Sequence, residues 1–94
     1  MIRSFRNRAL KRFWERSDAS GLRADWISRI TRQLDALEQA SRPEDLDVPG
    51  NRFHALKGDQ VGRYATSVLR SWRIIFGLSD DDALDIDLED YHGR

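Results

Sequence analysis

The chain has no cysteine. That absence removes disulfides, thiolate nucleophiles and cysteine-ligated zinc together. Long apolar runs are missing too, since no window approaches the ~18 consecutive apolar residues of a membrane span. The opening M-I-R-S-F-R-N-R lacks the apolar stretch of a secretory signal, so a cytoplasmic protein is expected. Only two prolines occur, Pro43 and Pro49, and both fall in one acidic connector, P-E-D-L-D-V-P-G. Lysine is scarce as well, with Lys11 and Lys57 standing against fourteen arginines. That bias suits planar, two-pronged recognition of phosphate or carboxylate, although a GC-rich coding sequence accounts for it equally well. Histidine occurs twice, at His54 and His92. It is the residue type whose ordinary pKa lies nearest neutrality.

What is present fits one small domain spanning residues 1–94, with a single core and room for one site. The net charge is zero, but the charges are segregated. Residues 1–42 carry ten Arg or Lys against five Asp or Glu, residues 43–78 five against four, and residues 79–94 one against seven.

The apolar periodicity changes once along the chain. Ile2 to Phe5 reads as a short edge strand, and Asn7 as an N-cap. Leu10, Phe13, Trp14 and Ser17 recur at helical spacing, with Arg8, Lys11, Arg12 and Arg16 around them. Trp26, Ile27, Ile30, Leu34 and Leu37 then mark a second helix running to about Ala40 and closed by Pro43, with Arg23, Arg29 and Arg32 outside. Both tryptophans are expected in the core. After the connector every segment reads as strand. Arg52 to Lys57 ends at the Gly58-Asp59 turn, Arg63 to Leu69 follows, and Arg70-Ser71 joins it tightly to Trp72–Leu78. In the last strand Leu84, Ile86 and Leu88 alternate strictly with Asp85, Asp87 and Glu89. The expected fold is α+β: two N-terminal helices packed on one face of a small antiparallel four-stranded meander.

The polar residues of this sheet define the chemistry. With Trp72, Ile74 and Phe76 facing the helices, Arg73 projects from the opposite face, where a guanidinium is costly without an anion. His54 and Lys57 lie on the first strand, and Asp90, Tyr91 and His92 follow the last. Folding can assemble two imidazoles, a carboxylate, a phenol, an ammonium and the guanidinia of Arg73, Arg63 and Arg52, provided that the sheet twists or the tail folds across its face. Metal-free RNA cleavage needs a base for the 2′-hydroxyl, an acid for the departing 5′-oxygen and cations for the phosphorane charge. Two histidines can divide the first two tasks, Arg73 and Lys57 can supply the third, and Tyr91 can stack on an unpaired base.

Residues His54 to Tyr64, H-A-L-K-G-D-Q-V-G-R-Y, the strand W-R-I-I-F from Trp72, and the terminal E-D-Y-H resemble the HigB-type toxins of the RelE superfamily, the killer halves of bacterial type II toxin–antitoxin pairs. The likeness spans residues 1–92. It extends to the opening I-R-S-F-R, both helices, the D-V-P-G connector and the total length. The resemblance implies a RelE-like microbial ribonuclease fold and a cytoplasmic endoribonuclease that cuts mRNA in the ribosomal A site and stops growth without a cofactor or metal. It implies a catalytic set of His54, Asp90, Tyr91 and His92, with Lys57 and Arg73 binding substrate; Arg63, from its place in the sheet, is a further candidate for substrate binding. His92 or Asp90 would transfer a proton with His54 as partner, and Arg73 would hold the scissile phosphate; which group is acid and which is base stays open. The basic helices would grip ribosomal RNA. A HigA-like antitoxin with a helix-turn-helix domain would neutralise the toxin, and operator DNA would be reached only through it. Three positions depart from the family pattern: Arg70-Ser71 where Gly or Asn is frequent, Leu88 where an aromatic is common, and Gly93-Arg94 beyond His92. Two other classes share parts of this pattern. A gyrase-poisoning toxin of the same fold would not need His54, His92 and Asp90 together, and a non-catalytic RNA-binding module would need only basic and aromatic residues.

Overall fold

The computed structural model describes residues 1–91. Helix α1 covers Arg8–Arg16. It starts where the Asn7 side chain accepts a hydrogen bond from the Leu10 amide at 2.8 Å, and ends where Ser17 turns left-handed. Helix α2 covers Ile27–Gln39 and is led in by a 3₁₀ turn at Ala24–Trp26. It stops at Ala40, ahead of Pro43, which instead opens a second 3₁₀ turn, Pro43–Leu46. Proline suits that first position because it has no amide to leave unpaired there.

Four strands follow: β1 His54–Ala55, β2 Arg63–Leu69, β3 Trp72–Ser79 and β4 Asp82–Asp90. They pair in sequence order and all neighbours are antiparallel, which is the expected meander. The first strand is shorter than its sequence implies. Arg52 takes a positive φ of 49°, and the chain beyond Lys57 enters a 3₁₀ turn, Gly58–Gln60, so only two residues stay extended. The Ile2–Phe5 segment lies parallel to β4 through isolated bridges at Ala83 and Ile86.

One face of the sheet meets both helices. Leu10 of α1 and Ile30, Leu34 and Leu37 of α2 pack with Val68, Ile74, Phe76 and Ile86 in the main cluster, and Trp26 lies against Trp72 with ring centres 4.9 Å apart. The opposite face carries only a small patch of Leu56, Ala65 and Ile75. That asymmetry follows from the period-two pattern of β3, which sends Ile74 and Phe76 to the helices and Arg73 and Ile75 to the other side.

The last strand departs from strict alternation. Gly77 pairs with Leu84 while Ile75 pairs with Asp87, so β4 holds one residue too many between them. Asp85 absorbs it with a φ of 52°, a left-handed conformation that aspartate tolerates better than most residues. The bulge buries Ala83 and Ile86 in the main cluster and leaves Leu84 half-buried outside it. Asp80 and Asp81 both adopt positive φ in the two-residue β3–β4 turn, and Arg70 does so in the β2–β3 turn without the glycine or asparagine usual there.

A buried glutamine ties α2 to the sheet. Gln33, 2% exposed, donates to the Ser67 carbonyl at 2.6 Å and accepts from the Thr66 hydroxyl at 2.8 Å. Replacing it with alanine takes the partner from the buried Thr66 hydroxyl and the part-buried Ser67 carbonyl, and an unpaired buried group costs about 1–3 kcal/mol before water enters. Urea unfolding of Gln33→Ala should show that loss as a lower midpoint at unchanged m-value.

Candidate functional site

The register sets out the helix-free face row by row. His54 stands opposite Ala65, which faces Ile75, which faces Asp87; in the next row Ser67, Arg73 and Glu89 lie side by side. Ala65 and Ser67 are small, so a hollow is left between His54 on one edge and the end of β4 on the other. It measures about 280 Å³ and is lined by Arg52, His54, Ala65, Thr66, Ser67, Arg73 and Tyr91.

Arg73 forms one wall. Its guanidinium donates to Glu89 Oε2 at 3.1 Å and lies 4.8 Å from the centre of the Tyr91 ring. Glu89 is thus the anion that a guanidinium in this position needs, and both side chains are largely shielded, at 15% and 23% exposure. The pairing is incomplete, because Arg73 Nε is buried with no hydrogen-bond partner among the described residues. A buried N–H without an acceptor is costly, and this one belongs to a side chain that lines the hollow. Tyr91 is exposed, and its backbone amide donates to the Ser71 carbonyl at 3.2 Å. His54 is exposed at the opposite rim, its Nδ1 within 3.4 Å of the Arg52 carbonyl oxygen.

The other sequence candidates lie elsewhere. Asp90 pairs across the ladder with Trp72, on the helix side of β4, and accepts from the Ser71 hydroxyl at 2.5 Å, so it holds the β2–β3 turn and does not line the hollow. Lys57 is exposed beyond β1, where it leads into the Gly58–Gln60 turn. Arg63 braces the β4 bulge by donating to the carbonyls of Asp85 and Ile75 and to Gln60 Oε1. Burial lowers its pKa from the ordinary arginine value, aided by nearby Arg6 and opposed by Asp85, Asp87 and Glu89; a guanidinium stays charged regardless. His92, with Gly93-Arg94, lies outside the described residues.

The hollow therefore unites His54, Arg73 and Tyr91 with Arg52. It adds Ala65, Thr66 and Ser67, which the sequence reading had passed over. Their signal was the run of small residues on one face of a strand, A-x-S, paired with a strand bearing histidine on that face. Among the described residues no group of three or more His, Asp or Glu side chains is placed to hold a metal ion, and no helix is long and apolar enough to cross a membrane.

Comparison with known proteins agrees with this architecture. A toxin from Helicobacter pylori superposes with a TM-score of 0.56 at 13% identity, covering 98% of this chain and 97% of that one. A YafQ mutant from E. coli superposes with a TM-score of 0.54 at 15% identity, covering 98% and 93%. At those identities the likeness speaks for the fold. In sequence, the chain is 36% identical over 92 residues to "Endoribonuclease HigB" of Proteus vulgaris, covering 98% of this chain and all of the relative. It is 32% identical over 91 residues to "Toxin HigB-1" of Vibrio cholerae, covering 95% and 96%. The family model for the RelE-like toxin of the type II toxin–antitoxin system HigB matches residues 3–92. With nearly the whole chain matched, this protein belongs to the HigB-like toxins, the RelE-like toxins of type II toxin–antitoxin systems.

Proposed function

We propose that this toxin is a metal-independent endoribonuclease that cuts mRNA in the ribosomal A site and is neutralised by a HigA-like helix-turn-helix antitoxin. The name of the Proteus vulgaris relative supports the endonuclease reading. The observation that carries it is the hollow itself, in which His54, Arg52, Arg73 and Tyr91, distant in sequence, surround one space. The guanidinia of Arg73 and Arg52 hold the scissile phosphate and the charge that develops on it. His54 transfers a proton to or from the reacting ribose or the leaving oxygen, with His92 as its partner. Tyr91, kept against Arg73, offers its ring to the base beside the cut. Asp90 acts at one remove, by holding Ser71 and the strand end from which Tyr91 and His92 follow; Lys57 and the basic helices engage phosphates of the transcript or the ribosome outside the hollow. The reaction takes place in the cytoplasm, where transcripts are translated, and requires no cofactor. The ribosome completes the site, so that free RNA is a poor substrate.

Primer extension on a defined mRNA, with and without translating ribosomes, tests this reading. Cuts should appear only with ribosomes and cluster within codons. Growth arrest on expression with no cuts in either lane would instead indicate a target such as DNA gyrase.

A further inference from the structure

A second cleft adjoins the first. It measures about 410 Å³ and runs between α2 and the connector, lined by Arg29, Arg32, Gln33, Val48, Pro49 and Asn51 among others. Helical spacing puts Arg29, Arg32 and Gln33 on one face of α2. The two clefts share a wall: Gln33 of the second bonds Ser67 and Thr66 of the first, Asn51 precedes Arg52, and the Ser67 amide donates to the Asn51 carbonyl at 2.6 Å. Six of the thirteen described arginines are ion-paired. Arg3, Arg6, Arg12, Arg23, Arg42 and Arg73 each have a carboxylate within ion-pair distance. Among the described residues Arg29 and Arg32 have none; Arg29 donates only to the Gly50 carbonyl at 3.2 Å, and no acidic side chain of the connector lines the cleft. Opposite them Val48, 48% exposed, and Pro49 present an apolar surface. Two unneutralised guanidinia facing an apolar wall match a nucleotide, whose phosphates need the first and whose base needs the second.

We propose that this cleft is an extension of the substrate site that holds the single-stranded RNA next to the cut, with Arg29 and Arg32 on its phosphates and a base against Val48 and Pro49. The inference rests on the ribonuclease reading but concerns a separate stretch of substrate. Asn51 of this cleft and Arg52 of the Arg73 hollow are consecutive residues, so a strand held in one lies beside the other. Grip on nucleotides beyond the scissile one would let the toxin hold a codon in place rather than a single phosphate.

The test is binding of 2′-deoxy single-stranded oligonucleotides of two to eight nucleotides to the full chain, read by fluorescence anisotropy across a salt series. Arg29→Gln/Arg32→Gln should weaken an octanucleotide about tenfold and lower the slope of log affinity against log salt by about 1.4, since each single-strand phosphate contact contributes about 0.7. On a dinucleotide the same variant should lose far less, because that probe fills one cleft. Arg32→Gln alone, whose side chain makes no described hydrogen bond, should show about half the slope change and guards against a shift of the connector. Equal losses at every length, or no loss at any length, would overturn the proposal. So would intact oligonucleotide binding with weakened antitoxin binding, which would assign the cleft to a protein partner. Length-dependent loss in a protein that makes no cuts on ribosomes would keep the cleft and remove the nuclease; cuts unchanged by the variant, with unchanged anisotropy, would do the reverse.

Discussion

Truncation of His54 to alanine lowers ribosome-dependent cleavage by about 10²–10⁴-fold, the range of a single proton-transfer group, and leaves the fold standing. The second half of that expectation follows from exposure: the imidazole sits at the rim of the hollow and makes one long contact to the Arg52 carbonyl. Single-turnover cleavage on programmed ribosomes measures the first half, and thermal unfolding the second. Activity within a few-fold of the parent would take His54 out of the proton path. His92→Ala belongs in the same series. If the two histidines act as a unit, the double variant falls little below the worse single one, as catalytic partners do.

Arg73 is expected to matter nearly as much, for a different reason. Removing one preorganised donor to a developing oxyanion typically costs about 10²–10³ in rate, and Arg73→Ala also takes away the cation against which Tyr91 rests. The same substitution removes the Arg73–Glu89 ion pair. For a pair still 15% and 23% exposed that costs about 1–2 kcal/mol, below the ~3–5 of a fully buried one. Arg73→Lys separates the two effects. The ammonium keeps a charge for Glu89 but has neither the planar fork nor the Nε donor, so stability should largely return while cleavage stays low. Recovery of cleavage in the lysine variant would mean that charge alone suffices and that the unpaired Nε has no special part.

Much of the local structure was legible beforehand. Asn7 caps α1, the two apolar stripes define both helices, and the alternation in β3 places Arg73 on the free face. Each of these depends on a few neighbouring residues, where propensity and periodicity act directly. What the local pattern did not show arose where distant chain overrides it. Leu84, Ile86 and Leu88 alternate in sequence, yet pairing with β3 inserts a bulge at Asp85 and moves Leu84 to the other side. Arg63 carries no local sign that it will brace that bulge, since its acceptors on Ile75 and Asp85 lie twelve and twenty-two residues away.

The same division runs through the site. Its cast of side chains, His54, Arg73 and Tyr91, was determined by the sequence alone, since a side chain's chemistry is fixed by its identity and the face it takes by the strand period. Which of them meet was decided only by the tertiary structure. Register brings Tyr91 against Arg73, turns Asp90 to the helix side beside Trp72 and Ser71, gives Arg73 its carboxylate in Glu89, and leaves a hollow over Ala65 and Ser67. Backbone pairing sets those distances between strands remote in sequence, and a shift of one residue would reverse every face.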